Sequence, residues 1–277
     1  PQVALDDFKT LDKHAKPGTV FLMHDWLTPY STKADLLRPY LAALPTWKTV
    51  NLLEPPDLRK FEKVERIRRL ETWKEMTLWP LNVIAMGKLD SPQLSQRVEA
   101  LLRMALEIFL KDTDIVERYT KAFEFGWKSQ EWQNIPTLKD FRRYCTRERL
   151  NLLNFEEIDK LALNQIVQQF EALFSSEVGK VISEPSNFNP DPAMKFFALS
   201  GLKNEGGQDA YLMSINAHAA CIRTALSYPR SCFIGDELSV LLKRNGFANM
   251  VGELCATGRK DGISVVLISQ DIDSIST

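Results

Sequence analysis

Short apolar runs bounded by polar turns occur near both ends of the chain and predict β-strands. The predicted strands are 19–25 (TVFLMHD), 48–53 (KTVNLL), 194–202 (MKFFALSGL), 231–237 (SCFIGDE) and 263–270 (ISVVLISQ). Apolar residues recur at helical spacing between them, over 32–44, 209–228 and 247–262. Strands that alternate with helices in this way favour a parallel sheet.

The central part of the chain, from 58 to about 180, has helical spacing and almost no strand pattern. Ser91 is a favourable N-cap, and Thr137 with Asp140 three residues later forms a capping pattern. The predicted helices of this part cover 58–76, 91–112, 135–145 and 155–174. This stretch therefore predicts an all-helical block.

The strand patterns stand on both sides of the helical block. We therefore predict an α/β core made of 1–55 and 185–277, with an inserted all-helical subdomain at 56–184. The chain begins at Pro1 and stops shortly after a strong strand pattern, where a parallel sheet usually continues into a covering helix. We expect it to be a fragment of a longer protein.

Composition and charge narrow the function classes. The 277 residues carry a net charge of −1, so the chain has no overall positive charge that would attract nucleic acid or acidic lipid. No apolar run approaches the ~20 residues that cross a bilayer. The four cysteines form no Cys-x-x-Cys pair, which favours reduced thiols in a cytosolic protein. His218 and Cys221 lie three residues apart, but without further ligands nearby they do not indicate zinc.

Two adjacent carboxylates, Asp236 and Glu237, follow an apolar strand. Acidic residues are common at solvated strand ends, so that alternative stays open. In a Walker B element, the first carboxylate serves Mg²⁺ and the second activates a water for attack on a phosphate. In a parallel sheet, ligands bind beyond the carboxyl ends of the strands, which is where this pair is predicted to lie.

Two further features suit phosphoryl transfer. Gln270 ends the next predicted strand, where it can orient or sense a γ-phosphate, although a polar strand end explains it equally. Arg259 and Lys260 lie in the last part of a predicted helix, where they can neutralise phosphate charge or complement the helix dipole. Together with Asp236 and Glu237, these residues favour a nucleotide site.

A P-loop is absent from the sequence. This motif needs Gly-x4-Gly-Lys-Ser/Thr, whose backbone amides cradle the phosphates. The nearest segment, 174–181 (FSSEVGKV), has Phe174 at the first glycine position and Val181 at the Ser/Thr position. The stretch 201–209 (GLKNEGGQD) also has the wrong spacing. The chain therefore has no P-loop of its own with which to hold a triphosphate.

The order of motifs resembles the motor domain of conjugative-transfer and type IV secretion assembly ATPases of the VirB/TraC type. The resemblance extends from about residue 17 to 272, and each motif is short, so their order and spacing carry it. Gly235 departs from the family, which has an apolar residue before the acids. The motifs are VFLMHD, VNLLEPPDL, IPTLKDF, KFFALSGL, CFIGDEL, TGRKDG and VVLISQ.

This resemblance implies a RecA-like, P-loop NTPase-type α/β fold with an inserted all-α subdomain, and hydrolysis of ATP with Mg²⁺. It implies that Asp236 assists Mg²⁺ and Glu237 activates water, while Gln270 senses the γ-phosphate. Arg259 would act near the phosphates, including those of an adjacent subunit, and Lys260 would contact the nucleotide. The P-loop would lie just before residue 1.

The family further implies a cytoplasmic protein that forms a hexameric ring and docks on secretion-channel components at the inner membrane. The alternative is a non-hydrolysing structural or interaction subunit that keeps the motor fold. A third hypothesis, nucleic-acid binding, rests on 58–75, which has seven Lys or Arg against four Glu. A solvated amphipathic helix explains that stretch better.

Overall fold

In the computed structural model of the chain, the described residues are 19–23, 49–87, 89, 91–187, 194–198, 208–236 and 245–268. The predicted helix at 32–44 lies outside them, as do Glu237 and Gln270. Among the described residues, no helix combines the length and the apolar character that a membrane crossing requires.

Four described strands form one parallel sheet in the order β2-β1-β3-β4. They are β1 (Thr19–Met23), β2 (Met194–Ala198), β3 (Ser231–Asp236) and β4 (Ile263–Ile268). β1 therefore pairs with strands that follow it by more than 150 residues, which confirms that the first predicted strand shares a sheet with 231–237. The complete RecA-like sheet stays a prediction.

The described helices follow one another in two groups along the chain. Those before β2 are α1 (Lys63–Met86), α2 (Pro92–Thr113), α3 (Ile115–Phe125), α4 (Gln130–Gln133), α5 (Leu138–Arg142), α6 (Arg147–Leu150), α7 (Glu157–Phe174) and α8 (Glu177–Ile182). Those after it are α9 (Gln208–Leu226) and α10 (Asn245–Gly258). The predicted helical block and the two late helices are confirmed.

Local sequence signals account for several helix starts. The Ser91 side chain accepts the Leu94 N–H at the start of α2, and Pro92 occupies the first helical position. At α5, Thr137 and Asp140 form the predicted capping box. One difference is α1, which continues ten residues beyond the predicted end at 76 and contains Pro80.

The chain divides into two compact units. The sheet unit contains 1–47, 56–73 and 188–277, and the helical unit contains 48–55 and 74–187. The sequence pattern placed the division at 55/56, whereas here 48–55 groups with the helices and 56–73 with the sheet. That the helical unit is a subdomain inserted into a motor core stays a prediction.

In the sheet unit, α9 is buried almost all round. The helix presents apolar residues to the sheet at helical spacing, with Phe233 of β3 fully buried beneath it. β4 ends the described sheet, and its alternate residues Ser264, Val266 and Ile268 are exposed. The prediction of β4 as a fully apolar strand holds for its sequence, but only one of its faces is covered by described residues.

The predicted strand at 48–53 is wrong over the described residues 49–53, which form an irregular segment and a turn. The N–H groups of Val50 and Leu52 donate to the carbonyls of Val181 and Ile182, at the end of α8. The apolar side chains of this segment are buried, as the pattern predicted. Its backbone, however, pairs with the end of a helix and not with a strand.

Candidate functional site

The carboxyl edge of the sheet is the first element of the candidate site. Asp236 is the last residue of β3, an interior strand that pairs with β1 on one side and β4 on the other. Its backbone lies in register with Ile268, the last described residue of β4. Glu237 and Gln270 lie outside the described residues, one position after Asp236 and two after Ile268. Their roles stay predictions.

Gly235 lies one residue before this edge. A glycine weakens a strand interior because its backbone loses more conformational entropy on folding and because it has no side chain to pack. Here Gly235 is buried and stays in register with both neighbours, Leu22 of β1 and Leu267 of β4. The departure from the family pattern therefore leaves the pairing of β3 intact up to Asp236.

Arg259 and Lys260 lie at the opposite, amino edge of the sheet. They follow the end of α10 at Gly258 and precede β4, whose first residue is in register with Ser231 at the start of β3. A strand rises about 3.3 Å per residue, so five steps separate this edge from Asp236 by roughly 16 Å. One chain therefore does not bring Arg259 or Lys260 to the carboxylate with which the sequence pattern grouped them.

Both cations are exposed and directly follow a helix C-terminus. The Lys260 N–H donates to the Thr257 carbonyl and the Gly262 N–H to the Arg259 carbonyl, so the segment forms a tight turn. Gly262 has a φ of 71° and lies against the Pro229 carbonyl, where a side chain has no room. This position also suits the alternative that the two cations complement the dipole of α10.

Asp261 anchors this turn from inside. Its side chain is 1% exposed and accepts hydrogen bonds from Arg68 Nε at 2.8 Å and Thr72 Oγ1 at 3.1 Å. The Asp261 N–H also donates to the Gly258 carbonyl. A buried carboxylate is tolerated only when it is paired and hydrogen-bonded, and these contacts supply both.

Arg69 completes the anchor and is almost fully buried. Its guanidinium donates to the carbonyls of Leu226 at 2.9 Å, Tyr228 at 3.2 Å and Asp261, and to the Glu65 carboxylate at 2.9 Å. It also lies 4.0 Å from the centre of the Phe61 ring. We call Arg69, Asp261 and their partners Arg68 and Thr72 the turn anchor. Sequence reasoning missed it, and the surplus of basic residues in 58–75 was the only signal.

The basic residues of 58–75 are largely engaged within the protein. Arg59 pairs with Asp57 at 2.8 Å, Arg66 donates to the Phe61 carbonyl, and Lys60 lies 5.0 Å from the Tyr228 ring centre. Arg68 and Arg69 belong to the turn anchor, and Lys74 pairs with Glu107. These internal contacts account for most of the positive charge on which the nucleic-acid hypothesis for this stretch rested.

His218 is a core residue of the sheet unit. It is fully buried on α9, with its ring centre 4.4 Å from that of Phe247, and its Nδ1–H donates to the Ser214 carbonyl. Its Nε2 has no hydrogen-bond partner among the described residues. Desolvation by burial lowers the pKa of His218 from 6.5 to about 4. The described residues hold no cluster of three metal-ligating side chains.

This burial predicts a pH-dependent stability. The folded protein keeps His218 neutral down to about pH 4, whereas the unfolded chain protonates it near pH 6.5, so the stabilising effect is full above pH 6.5 and is lost as the pH falls toward 4. The shift corresponds to about 3 kcal/mol of unfolding free energy. Urea denaturation at pH 7 and 4.5 should show that the unfolding free energy falls less between these two pH values for His218→Leu than for the parent. Equal losses in both proteins would contradict this.

The described residues fit the implied Mg²⁺ and nucleotide in part. Mg²⁺ is commonly bound through one or two carboxylates together with substrate phosphates, and Asp236 places one carboxylate residue at the carboxyl edge. The sequence offers no phosphate cradle, since it contains no Gly-x4-Gly-Lys-Ser/Thr. Whether Asp236 serves a metal stays a prediction.

No family model and no curated protein matches the sequence. Solved structures do. The structure of VirB4 of Thermoanaerobacter pseudethanolicus aligns with 98% of this chain at a TM-score of 0.61 and 16% sequence identity. This chain has the VirB4 fold. The family resemblance predicted from the order of motifs is thereby confirmed at the level of the fold.

The chain spans 66% of the length of the VirB4 structure. The bacterial conjugative coupling protein TrwBdeltaN70, in its unbound form, aligns with 98% of the chain at a TM-score of 0.45 and 16% identity, over 59% of its own length. The plasmid coupling protein TrwB, in complex with ADP and Mg²⁺, aligns with 95% at 0.39 and 17% identity, over 66% of its length. These TM-scores are too low to establish a shared fold, so the assignment rests on VirB4.

Proposed function

We propose that this chain is part of an ATP-hydrolysing motor that powers conjugative DNA transfer or type IV secretion. The observation that carries the proposal is the VirB4 fold, with Asp236 at the carboxyl end of an interior parallel strand. Ligands of open parallel sheets bind at that edge. The proposal includes a RecA-like core, completed by a P-loop that precedes residue 1, and the helical unit as its inserted subdomain.

Each residue of the carboxyl edge has a chemical role in this proposal. Asp236 would hold Mg²⁺, and the ion, when bound, would neutralise charge on the phosphates. Glu237 orients the attacking water and accepts its proton, as a carboxylate next to the metal site can do. Gln270, two positions after the last described residue of β4, donates a hydrogen bond to the γ-phosphate. In this proposal Asp236 therefore serves the metal, Glu237 the water and Gln270 the phosphate.

Arg259 and Lys260 fit this motor only across a subunit boundary. Because they lie at the amino edge, roughly 16 Å along β3 from Asp236, they act on nucleotide held by the adjacent subunit of a hexameric ring. An arginine supplied in trans stabilises the charge that develops during phosphoryl transfer. The ring is cytoplasmic in the proposal and docks on secretion-channel components at the inner membrane.

A second candidate function is a non-hydrolysing structural subunit that keeps the motor fold. The absence of a P-loop motif from these 277 residues favours it. It differs from the first candidate in what the protein does with nucleotide, so ATP binding separates the two. Nucleic-acid binding through 58–75 is disfavoured by the internal partners of its basic residues.

We expect the isolated 277-residue chain to bind Mg²⁺-ATP weakly or not at all by calorimetry, since Asp236 alone offers a partial site. A longer natural protein that includes the upstream P-loop should bind it with micromolar affinity or better and hydrolyse it. If the natural protein instead has no P-loop and does not bind ATP, the structural subunit is the correct assignment. Micromolar binding by the isolated chain would contradict the role given to the P-loop.

A further inference from the structure

The helical unit contains an open cavity of about 310 Å³, and all of its lining residues belong to that unit. Three arginines line it: Arg118 of α3, Arg143 just after α5, and Arg149 of α6. Asp140 is the only acidic residue in its lining. Part of the IPTLKDF motif, which the proposed motor chemistry does not use, forms one wall.

The charge of this cavity differs from that of the chain. Its lining has three arginines and one aspartate, a surplus of two positive charges, whereas the whole protein has a net charge of −1. The neighbouring sequence repeats the bias, since 139–149 (KDFRRYCTRER) has five basic and two acidic residues. Local positive potential in a concave site attracts anions, and most strongly at low ionic strength.

The contacts of the three arginines hold them at the rim without using up their donors. Arg118 Nη2 donates to the Asn134 carbonyl at 2.6 Å, Arg143 Nη1 lies 3.3 Å from Asp140 Oδ1, and Arg149 Nη1 lies 3.6 Å from Asp112 Oδ2. Each of these contacts engages one terminal nitrogen. A guanidinium has five N–H donors, so each arginine can offer others to a ligand.

Stability does not explain why three arginines gather here. Exposed ion pairs such as Arg143–Asp140 and Arg149–Asp112 stabilise proteins little, because solvent screens them. Arg149 is also held near the Tyr144 ring, 5.1 Å from its centre, which limits its freedom before any ligand arrives. Positioned guanidinium groups are suited to planar or tetrahedral oxyanions, which they bind through paired N–H donors.

We propose that this cavity binds a phosphate group, either free or within a larger phosphate ester. The volume is at the lower limit of small-ligand sites, which suits a phosphate or pyrophosphate with little else enclosed. Asp140 lines the same space, so we expect the anion to lie on the side of the arginines. The proposal does not depend on ATP hydrolysis, because no residue of the carboxyl edge takes part in it.

Calorimetry with pyrophosphate at low salt tests the site on the 277-residue chain, and fluorescence anisotropy with a labelled oligothymidylate tests a phosphodiester source. Each of Arg118→Gln, Arg143→Gln and Arg149→Gln should weaken binding about tenfold, the effect of one lost charge-assisted hydrogen bond, and the triple variant should abolish it. Because all three side chains are exposed, we expect the variants to fold.

Arg103→Gln is the matched control, since Arg103 is exposed on α2, pairs with Glu75 and does not line the cavity. If the cavity variants lose binding of pyrophosphate and not of oligothymidylate, the site binds free phosphate. If they lose binding of oligothymidylate and not of pyrophosphate, the ligand is a phosphodiester. Both outcomes support the proposal. It is overturned if neither probe binds the parent at low salt, or if Arg103→Gln weakens binding as much as the cavity variants do.

Discussion

In a protein that supplies the P-loop, Glu237→Gln is expected to lower ATP turnover by roughly a hundredfold or more, the range of a lost general base. The amide keeps the size of the carboxylate and one hydrogen bond, but it cannot accept a proton from the attacking water. ATP should still bind, because metal and phosphate contacts do not involve this side chain in the proposed site. Single-turnover hydrolysis measured beside ATP affinity separates these two effects.

Asp236→Asn is the natural companion variant. Its backbone ends β3 in register with Ile268, so a change of one atom in the side chain should leave the strand in place. We expect it to weaken Mg²⁺-dependent ATP binding as well as turnover, since it removes the carboxylate assigned to the metal. Thermal melting of both variants controls for folding. Parent-level hydrolysis by Glu237→Gln would leave the acidic pair as an ordinary solvated strand end.

The strands of the sheet could be predicted because each carries a short apolar run next to turn residues. β3 and β4 begin at the predicted residues, and their described ends lie within one or two residues of the predicted ends. The segment at 48–53 has the same kind of pattern, and Val50 and Leu53 are indeed fully buried. Burial is what an apolar run encodes, whereas the partner of its backbone depends on residues far away, here Val181 and Ile182.

The placement of Arg259 shows a different limit. Motif order grouped it with Asp236, but order along the chain does not say which edge of a sheet a residue occupies. In a βαβ unit the crossover helix returns the chain to the amino edge, so a residue between α10 and β4 must lie far from the end of β3. That information was present in the predicted topology, which places Arg259 at the amino edge next to the C-terminus of α10.

The turn anchor was beyond sequence reasoning for a third reason. Arg69 is one of several arginines in an amphipathic stretch, and its spacing does not distinguish it from Arg66 or Arg68. Only the folded chain shows that its acceptors are three backbone carbonyls, those of Leu226, Tyr228 and Asp261. Every residue type has a backbone carbonyl, so the sequence does not indicate which carbonyls accept from Arg69. A contact of this kind is seen only in a structure.

Arg69→Met is expected to destabilise the sheet unit by about 3–5 kcal/mol, the usual effect of removing one partner from a buried charged network. Methionine fills most of the space next to Phe61, but it removes the guanidinium donor of three carbonyls, and an unsatisfied buried acceptor costs about 1–3 kcal/mol. Glu65 is 37% exposed and can be hydrated instead, so it adds little to this cost. Arg69→Lys should have an unfolding free energy between those of the parent and Arg69→Met, because one ammonium group cannot reach all of these acceptors.

The loss should also be local, and this distinguishes the anchor from general core packing. Without Arg69, the turn that carries Arg259 and Lys260 keeps its backbone hydrogen bonds but loses the guanidinium contact to the Asp261 carbonyl, and Arg68 and Thr72 remain as side-chain contacts to Asp261. Hydrogen exchange read by mass spectrometry should therefore rise first in peptides that cover 224–230 and 258–264. Arg66→Met is the matched control, an exposed arginine one turn earlier on α1 that donates to the Phe61 carbonyl. If Arg69→Met unfolds at the parent's urea midpoint, or if Arg66→Met raises exchange at the same turn equally, Arg69 does not hold the turn that presents Arg259.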